Sequence, residues 1–262
     1  MTSHSMGGYP YPGVPGSKKK NLAGKVSGAQ SAGRDASTPA MRVSQWPLQP
    51  ETDADHWFEK ERSSLGTEMT HNETAKSYGT RSVVLVEGVS DQLALEALAR
   101  RRGRNLDVEG ISVVPIGGTK NIGSFLDRFG PRGLNLRLAG MCDAAEQGDF
   151  QRGLERAGLG SNLTGTDMER LGFYVCVADL EDELIRSLGA AAVEQVIESQ
   201  GELGLFRSFQ KQRAWRGRAT EEQLRRFFGT HSGRKIQSGA LLVGALDLNH
   251  VPRPLDGVLA HV

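Results

Sequence analysis

The chain has 262 residues, of which 38% are hydrophobic and 24% are charged, and its formal net charge is +1. This balance excludes any argument for nucleic-acid binding from overall composition, because a basic surface must then be local and offset by acid elsewhere. The two cysteines, Cys142 and Cys176, lie inside apolar runs. That placement favours reduced, buried thiols over a disulfide framework or a metal knuckle.

The ends of the chain and its longest apolar runs bear on location and domain organisation. No apolar run approaches the roughly 18 residues that a membrane span needs, and the amino terminus lacks a signal-peptide core, so we expect a soluble, cytoplasmic protein. Residues 1–79 are rich in Gly, Ser and Pro without apolar periodicity, which predicts a disordered tail. A compositional change near Met69 leaves open a start at that residue.

The first stretch with a strong pattern is predicted to form a strand, a tight turn and a helix. Residues 83–87 (VVLVE) are an apolar run that ends in the carboxylate of Glu87, which is typical of a strand buried on both faces. Gly88 interrupts the run, Ser90 is a good N-cap, and Asp91 then falls in the first helical turn. Two carboxylates are thereby predicted at one sheet edge, where α/β folds bind ligands.

Three more apolar runs follow, in alternation with segments of helical spacing. They lie at residues 111–116, 136–142 and 173–178, and the last two are followed directly or closely by Asp143 and Asp179. The alternation predicts an α/β fold with a mostly parallel, four-stranded central sheet flanked by helices.

Beyond these strands the pattern is helical, which predicts a C-terminal helical extension over residues 189–249 and a tail over residues 250–262. Residues 207–226 carry seven Lys or Arg residues together with Trp215, a composition that suits a phosphate backbone. The solvated face of amphipathic helices explains the same residues equally well. The candidate nucleic-acid contacts are Arg213, Arg216 and Arg218 in this span and Lys120 in the glycine-rich turn after the second strand, a turn that is otherwise explained as a tight crossover.

Three of the four predicted strands end in a carboxylate at the same edge of the sheet. Glu87, Asp143 and Asp179 are joined there by Asp91 and Glu181 from the adjoining helix starts. Like charges this close destabilise a fold unless hard cations neutralise them, so the cluster predicts Mg²⁺ or Mn²⁺. Each acid taken singly is explained as well by helix capping, but the repetition on three strands favours a site.

These motifs together resemble a TOPRIM domain, in particular that of the OLD (overcoming lysogenization defect) family of nucleases. The resemblance rests on VLVEGVSD, CDAAE and DLEDEL and extends over about residues 81–246. It implies a Rossmann-like TOPRIM core over residues 80–188 and a nuclease that hydrolyses phosphodiester bonds in nucleic acid, with DNA as the first candidate. It also implies metal ligands at Glu87, Asp91, Asp143, Asp179 and Glu181, with Glu87 and Lys235 as catalytic residues.

The sequence departs from the family pattern in two ways. TOPRIM domains usually carry Asp-x-Asp after this strand, whereas Ala145 stands at the second position. Either Glu146 reaches inward in its place or one metal is held more loosely, so the number of ions, one or two, is open. OLD nucleases resemble fusions of an ABC-type ATPase to TOPRIM, but the chain contains no G-x-x-x-x-G-K-[ST] motif. The resemblance thus implies a stand-alone domain, with a separately encoded ATPase as a candidate partner.

Two other functions are compatible with the same sequence. TOPRIM domains also occur in primases and topoisomerases, which leaves nucleotidyl transfer of the primase-like type as an alternative. The topoisomerase route requires a nucleophilic tyrosine, and neither Tyr78 nor Tyr174 lies in a suitable context. The alternative from another class is a non-catalytic binding or regulatory module that kept the fold after losing the second aspartate.

Overall fold

The computed structural model describes residues 79–230 and 232–262, apart from the side chains of Ser232 and Lys235. The predicted disordered tail lies outside the described residues except for Gly79, and so does the candidate start at Met69. The strands are β1 (Ser82–Val86), β2 (Ile111–Pro115), β3 (Arg137–Cys142) and β4 (Phe173–Val175).

Helices alternate with these strands and then continue alone to the end of the chain. None of the helices in the described ranges is long and apolar enough to cross a bilayer. They are α1 (Val89–Arg101), α2 (Ile122–Phe129), α3 (Gln147–Arg156), α4 (Gly165–Arg170), α5 (Leu180–Leu188), α6 (Ala190–Ser199), α7 (Leu203–Gln210), α8 (Thr220–Phe228), α9 (Ser232–Ala245) and α10 (Arg253–His261), with short 3₁₀ helices at Thr119–Asn121 and Ala144–Glu146.

The four strands form one parallel sheet in the order β2-β1-β3-β4. This confirms the predicted α/β fold with a four-stranded parallel sheet flanked by helices. The chain passes from β1 to β2 on one side and then crosses to β3 on the other side of β1. Strands β1 and β3 therefore flank the topological switch point, and ligand crevices in open α/β sheets lie at the carboxyl ends of such strands.

Strand β1 is buried on both faces, as its apolar run predicts. Val83 and Leu85 pack into one core with α2 and α3, whereas Val84 and Val86 pack into a second core with α1, α5, α9 and α10. Alternate side chains of a strand point to opposite faces, so both cores hold the same strand. The position of the next residue, Glu87, is consequently fixed by core packing.

Helix α9 crosses α1 at very short range. A Cβ atom at Gly239 would lie 2.9 Å from the carbonyl oxygen of Ser90 and 3.2 Å from Cβ of Ala94. Only glycine allows this approach, because real Cβ atoms do not come so close to backbone oxygen. Lys235 lies one helical turn before Gly239 on the same helix.

The start of α1 corrects one prediction. The helix begins at Val89 with Gly88 as its N-cap, not at Ser90. The backbone N–H of Gly88 donates to Oδ2 of Asp91 at 2.9 Å, so the carboxylate three residues on supplies the cap. A short side chain at the conventional cap position is then unnecessary.

The structure at the end of the chain corrects a second prediction. Residues 250–262 were predicted to be a tail, but they contain α10, in which Leu255, Val258 and Leu259 are buried. Apolar residues at i, i+3 and i+4 form the buried stripe of a short helix, and Pro254 suits its first turn. This apolar pattern is too short to predict a helix from the sequence. The helix is recognised only because its side chains pack into the neighbouring core.

Candidate metal centre at the carboxyl edge of the sheet

Three carboxylates meet where β1 and β3 end. One oxygen atom each from Glu87, Asp143 and Glu146 lies within 4.8 Å of the other two. Glu87 follows β1 and Asp143 follows β3, and these adjacent strands run in register. The 3₁₀ turn then returns Glu146 towards Asp143, with the Glu146 N–H donating to the Asp143 carbonyl at 3.0 Å. We refer to these three side chains as the acidic triad.

The electrostatic field of the site acts most clearly on Asp143. Burial raises the pKa of its carboxyl group to about 7, and the negative charges of four neighbouring acids contribute to the same shift. Since a coulombic effect of this kind requires proximity in a weakly screened environment, the predicted metal ligands surround Asp143. The four neighbours are Asp91, Glu87, Asp179 and Glu181, in decreasing order of effect.

Glu146 is the member of the triad that the list of predicted ligands omits. Burial, a hydrogen bond with Glu87 and the charges of Glu87 and Asp143 raise the pKa of Glu146 to about 8. Close negative charges of this kind are costly when no cation is bound, and a divalent ion would offset them. The sequence could have indicated Glu146 through its spacing, because it lies three residues, or one 3₁₀ turn, after Asp143. Ala145, the intervening residue at the usual aspartate position, has no side-chain oxygen to bind a metal.

The triad has the composition of a site for a hard divalent cation. Oε2 of Glu146 is buried and has no hydrogen-bond partner among the described residues. Among the described side chains no Lys or Arg forms an ion pair with any member of the triad. An unsatisfied acceptor among clustered carboxylates fits Mg²⁺ or Mn²⁺, which take oxygen ligands.

Asp179 and Glu181 lie beside the triad but are held differently. Asp179 is the N-cap of α5: its Oδ1 accepts a hydrogen bond from the N–H of Asp182 at 2.8 Å. Its Oδ2 pairs with Arg225 of α8, 2.7 Å from Nε and 2.5 Å from Nη2. Glu181 is buried in the first turn of α5. Both acids raise the pKa of Asp143, although neither is part of the triad.

The remaining acids of the DLEDEL motif stabilise the helix. Oε1 of Glu183 accepts a hydrogen bond from the N–H of Val177 at 2.7 Å, and Oε2 lies 2.9 Å from Nη2 of Arg186. Oδ2 of Asp182 lies 2.7 Å from Nε of the same arginine. Interactions at the helix start and i, i+3 and i, i+4 pairing therefore explain Asp182 and Glu183, whereas the charges of Asp179 and Glu181 act on Asp143.

The predicted nucleic-acid contacts are exposed and lie on two separate elements. Lys120 belongs to the 3₁₀ helix after β2, at the same sheet edge as Glu87. Arg213 and Arg216 lie on the segment between α7 and α8, together with Arg218, whose guanidinium pairs with Glu222 and lies 4.9 Å from the centroid of the Trp215 ring. The side chain of Lys235, the predicted catalytic lysine, lies outside the described parts of the chain.

The two cysteines take no part in this chemistry. Cys142 and Cys176 are free, buried thiols. Burial raises the pKa of each well above its usual range, and the acids around Cys142 add to the effect. A thiol that stays protonated is neither a nucleophile nor a good metal ligand.

Comparisons with known proteins agree with this geometry. Residues 80–144 match the model of the overcoming lysogenization defect protein-like TOPRIM domain. Two similar solved structures are the C-terminal region of the Burkholderia pseudomallei OLD protein (20% identity, TM-score 0.55, 70% of this chain and 97% of that one) and the C-terminal region of the Xanthomonas campestris pv. campestris OLD protein (22% identity, TM-score 0.55, 71% and 95%). No curated protein matches the chain significantly.

The matched range contains β1, α1, β2, β3 and two members of the triad, Glu87 and Asp143. The structural likeness extends further and includes the helices that follow the sheet. Residues 80–144 are therefore similar to the OLD-like TOPRIM domain, and the fold is similar to that of the C-terminal regions of OLD proteins.

Proposed function

We propose that the chain is a divalent-metal-dependent nuclease that hydrolyses phosphodiester bonds, with DNA as its substrate. The observation that carries the proposal is the acidic triad, three carboxylates with oxygens within 4.8 Å at the switch point of the sheet. The OLD-like TOPRIM match supports the reaction class. A bound Mg²⁺ or Mn²⁺ would lower the pKa of an attacking water and neutralise charge on the phosphate.

The chain's own residues have distinct roles in this proposal. Glu87, Asp143 and Glu146 would hold the ion through their ionised carboxylates. Asp91 fixes the start of α1 through its bond to Gly88 and adds negative charge beside Asp143. Asp179 and Glu181 complete the set of acids that the resemblance assigns to metal binding. Lys235 would stabilise the charge that develops on the phosphate oxygens.

The substrate and surroundings follow from other parts of the molecule. Lys120 and the exposed arginines Arg213 and Arg216 would contact the phosphate backbone, which positions a strand without reading its sequence. The buried thiols suit a reducing compartment, so we place the activity in the cytoplasm. An ABC-type ATPase encoded separately remains the candidate protein partner.

A cleavage assay tests the proposal. The full chain is incubated with plasmid, single-stranded DNA and RNA in Mg²⁺, Mn²⁺ or EDTA. We expect metal-dependent cleavage of DNA that Glu87→Ala abolishes, whereas Glu198→Ala, which removes an exposed acid on α6, retains it. Lys235→Ala is expected to lose about 100-fold or more in rate, as the loss of one charge-stabilising donor does elsewhere, while its metal affinity is unchanged. Equal cleavage by wild type and Glu87→Ala indicates a contaminant and contradicts the assignment.

One observation favours a second candidate, a non-catalytic module. Ala145, in place of the usual second aspartate, is exposed and offers no ligand. Titration calorimetry with Mn²⁺ separates the candidates: an intact protein that binds no metal is a module, whereas saturable binding that Glu87→Ala removes supports the nuclease. Incorporation of labelled nucleotides on a template would instead identify primase-like nucleotidyl transfer.

A further inference from the structure

Arg225 forms an ion pair with Asp179, a contact that the TOPRIM resemblance does not suggest. Both Nε and Nη2 of its guanidinium lie within hydrogen-bond distance of the same oxygen, Oδ2 of Asp179, at 2.7 and 2.5 Å. The other oxygen, Oδ1, accepts the N–H of Asp182. Both oxygens of this carboxylate are thus engaged by donors of the chain itself. A metal ion would have to displace the arginine to use Oδ2.

Among the described side chains, the acid of the centre that forms an ion pair with an arginine is Asp179. Arg225 neutralises Asp179, and its own pKa is raised by that hydrogen bond and by the charges of Asp179, Asp182 and Asp143. On the other side, the triad has no Lys or Arg ion pair among the described side chains. The centre is therefore divided into a neutralised part at Asp179 and an unneutralised part at Glu87, Asp143 and Glu146.

The second aspartate of the usual Asp-x-Asp pair, which would add a metal ligand, is missing. Ala145 stands two positions after Asp143 and is exposed, while Glu146 turns back towards Glu87. Among the described residues, the triad is the group whose three carboxylate oxygens lie within 4.8 Å of one another. Position 145 offers no carboxylate beside Asp179, whose Oδ2 is held by two N–H groups of Arg225 in a charge-assisted contact.

We infer that the guanidinium of Arg225 takes the place of a second divalent ion, so that the chain binds one ion, at the acidic triad, and Arg225 keeps Asp179 out of metal coordination. The inference rests on the proposed metal centre. Arg225 is in this respect a positioning residue that sets the number of ions. Nearly half of its side chain, 45%, is exposed, so replacing it leaves no buried cavity and the variants are expected to fold.

Metal stoichiometry tests the inference without reference to activity. In calorimetric titration of the full chain with Mn²⁺, the wild type is expected to bind one ion per chain and Arg225→Ala two, because Asp179 is then released. Arg225→Lys, which keeps the charge, and Arg226→Ala, which removes the exposed neighbouring charge on α8, are both expected to bind one. Circular dichroism and thermal melting verify that each variant is folded.

The possible failures are distinguishable. Two ions bound by the wild type, or one ion bound by Arg225→Ala with wild-type affinity, overturn the role of Arg225 and leave the triad intact. If no variant, nor the wild type, binds Mn²⁺ at all, the metal centre itself is contradicted and the inference falls with it.

Discussion

A carboxylate oxygen of Glu146 lies within 4.8 Å of a carboxylate oxygen of Glu87, although the two residues lie 59 positions apart and follow different strands. Burial and the nearby charges of Glu87 and Asp143 raise the pKa of Glu146, so close negative charges are costly in the metal-free centre. A bound cation would therefore act at this site mainly by neutralising the negative charge of the triad.

Replacing Glu146 by glutamine tests that relation. The amide can donate to Glu87 without a negative charge of its own, so the metal-free variant is expected to be more stable than the wild type, with a thermal midpoint higher by about 2 °C or more, the shift that about 1 kcal/mol produces in a domain of this size. Its Mn²⁺ affinity is expected to fall by about tenfold or more. Thermal melting in EDTA and calorimetry measure the two effects. Glu198→Gln, an exposed control on α6, should change neither.

The raised pKa values predict the pH dependence of stability. Asp143 titrates at about 7 and Glu146 at about 8 in the folded chain, well above ordinary carboxyl values. Between the ordinary pKa values of the unfolded chain and the raised values of the folded chain, the folded state binds more protons than the unfolded state. The contribution of these groups to the free energy of unfolding is therefore greatest in acid and is lost as pH rises from about 5 to 8. Urea unfolding in EDTA should show this decline, and a saturating divalent ion should reduce it.

A variant isolates this contribution from the rest of the protein. Asp143→Asn is expected to flatten the decline. His261 has a pKa lowered by burial and by Arg137, so its own contribution has the opposite sign and increases with pH. Only the difference between wild type and Asp143→Asn is therefore diagnostic. An equal slope in both proteins contradicts the raised pKa of Asp143.

Gly239→Ala tests the crossing of α9 over α1. The new methyl group would lie 2.9 Å from the Ser90 carbonyl oxygen, which forces the helices apart and is expected to cost about 1–3 kcal/mol of unfolding free energy. Gly233→Ala in the same helix meets nothing within 4 Å and should be neutral or slightly stabilising. Urea denaturation of both variants decides the matter; equal stabilities show that the close approach is not required.

The exposed basic segment makes a prediction about salt. If Arg213 and Arg216 each contact a phosphate, the double Arg→Ala variant should bind duplex DNA more weakly on every sequence, and the slope of log affinity against log salt should fall by about 2. Arg170→Ala on α4 controls for loss of charge elsewhere. Fluorescence anisotropy at several salt concentrations provides the measurement. An unchanged slope assigns these arginines to a solvated helix face.

The sequence by itself determined the sheet and the position of its acids. An apolar run such as 83–87 can be buried on both faces only as an inner strand, and a residue directly after a parallel strand must lie at the carboxyl edge, so Glu87 and Asp143 meet there. It did not reveal α10, because nine residues with four buried side chains have no distinctive period without the core that they complete.

Only the tertiary structure decided which acids form the triad and which are neutralised by the chain. From the sequence, Asp179 is equally well explained as a helix cap, a metal ligand or an ion-pair partner. The structure shows that Arg225 of α8, 46 residues later in the chain, pairs with it. Likewise, the alternative between an inward Glu146 and a weakened site depended on how a three-residue turn packs beside β1. Coulombic interactions depend on distances in space, and spacing along the chain fixes those distances only within a single turn or between paired strands.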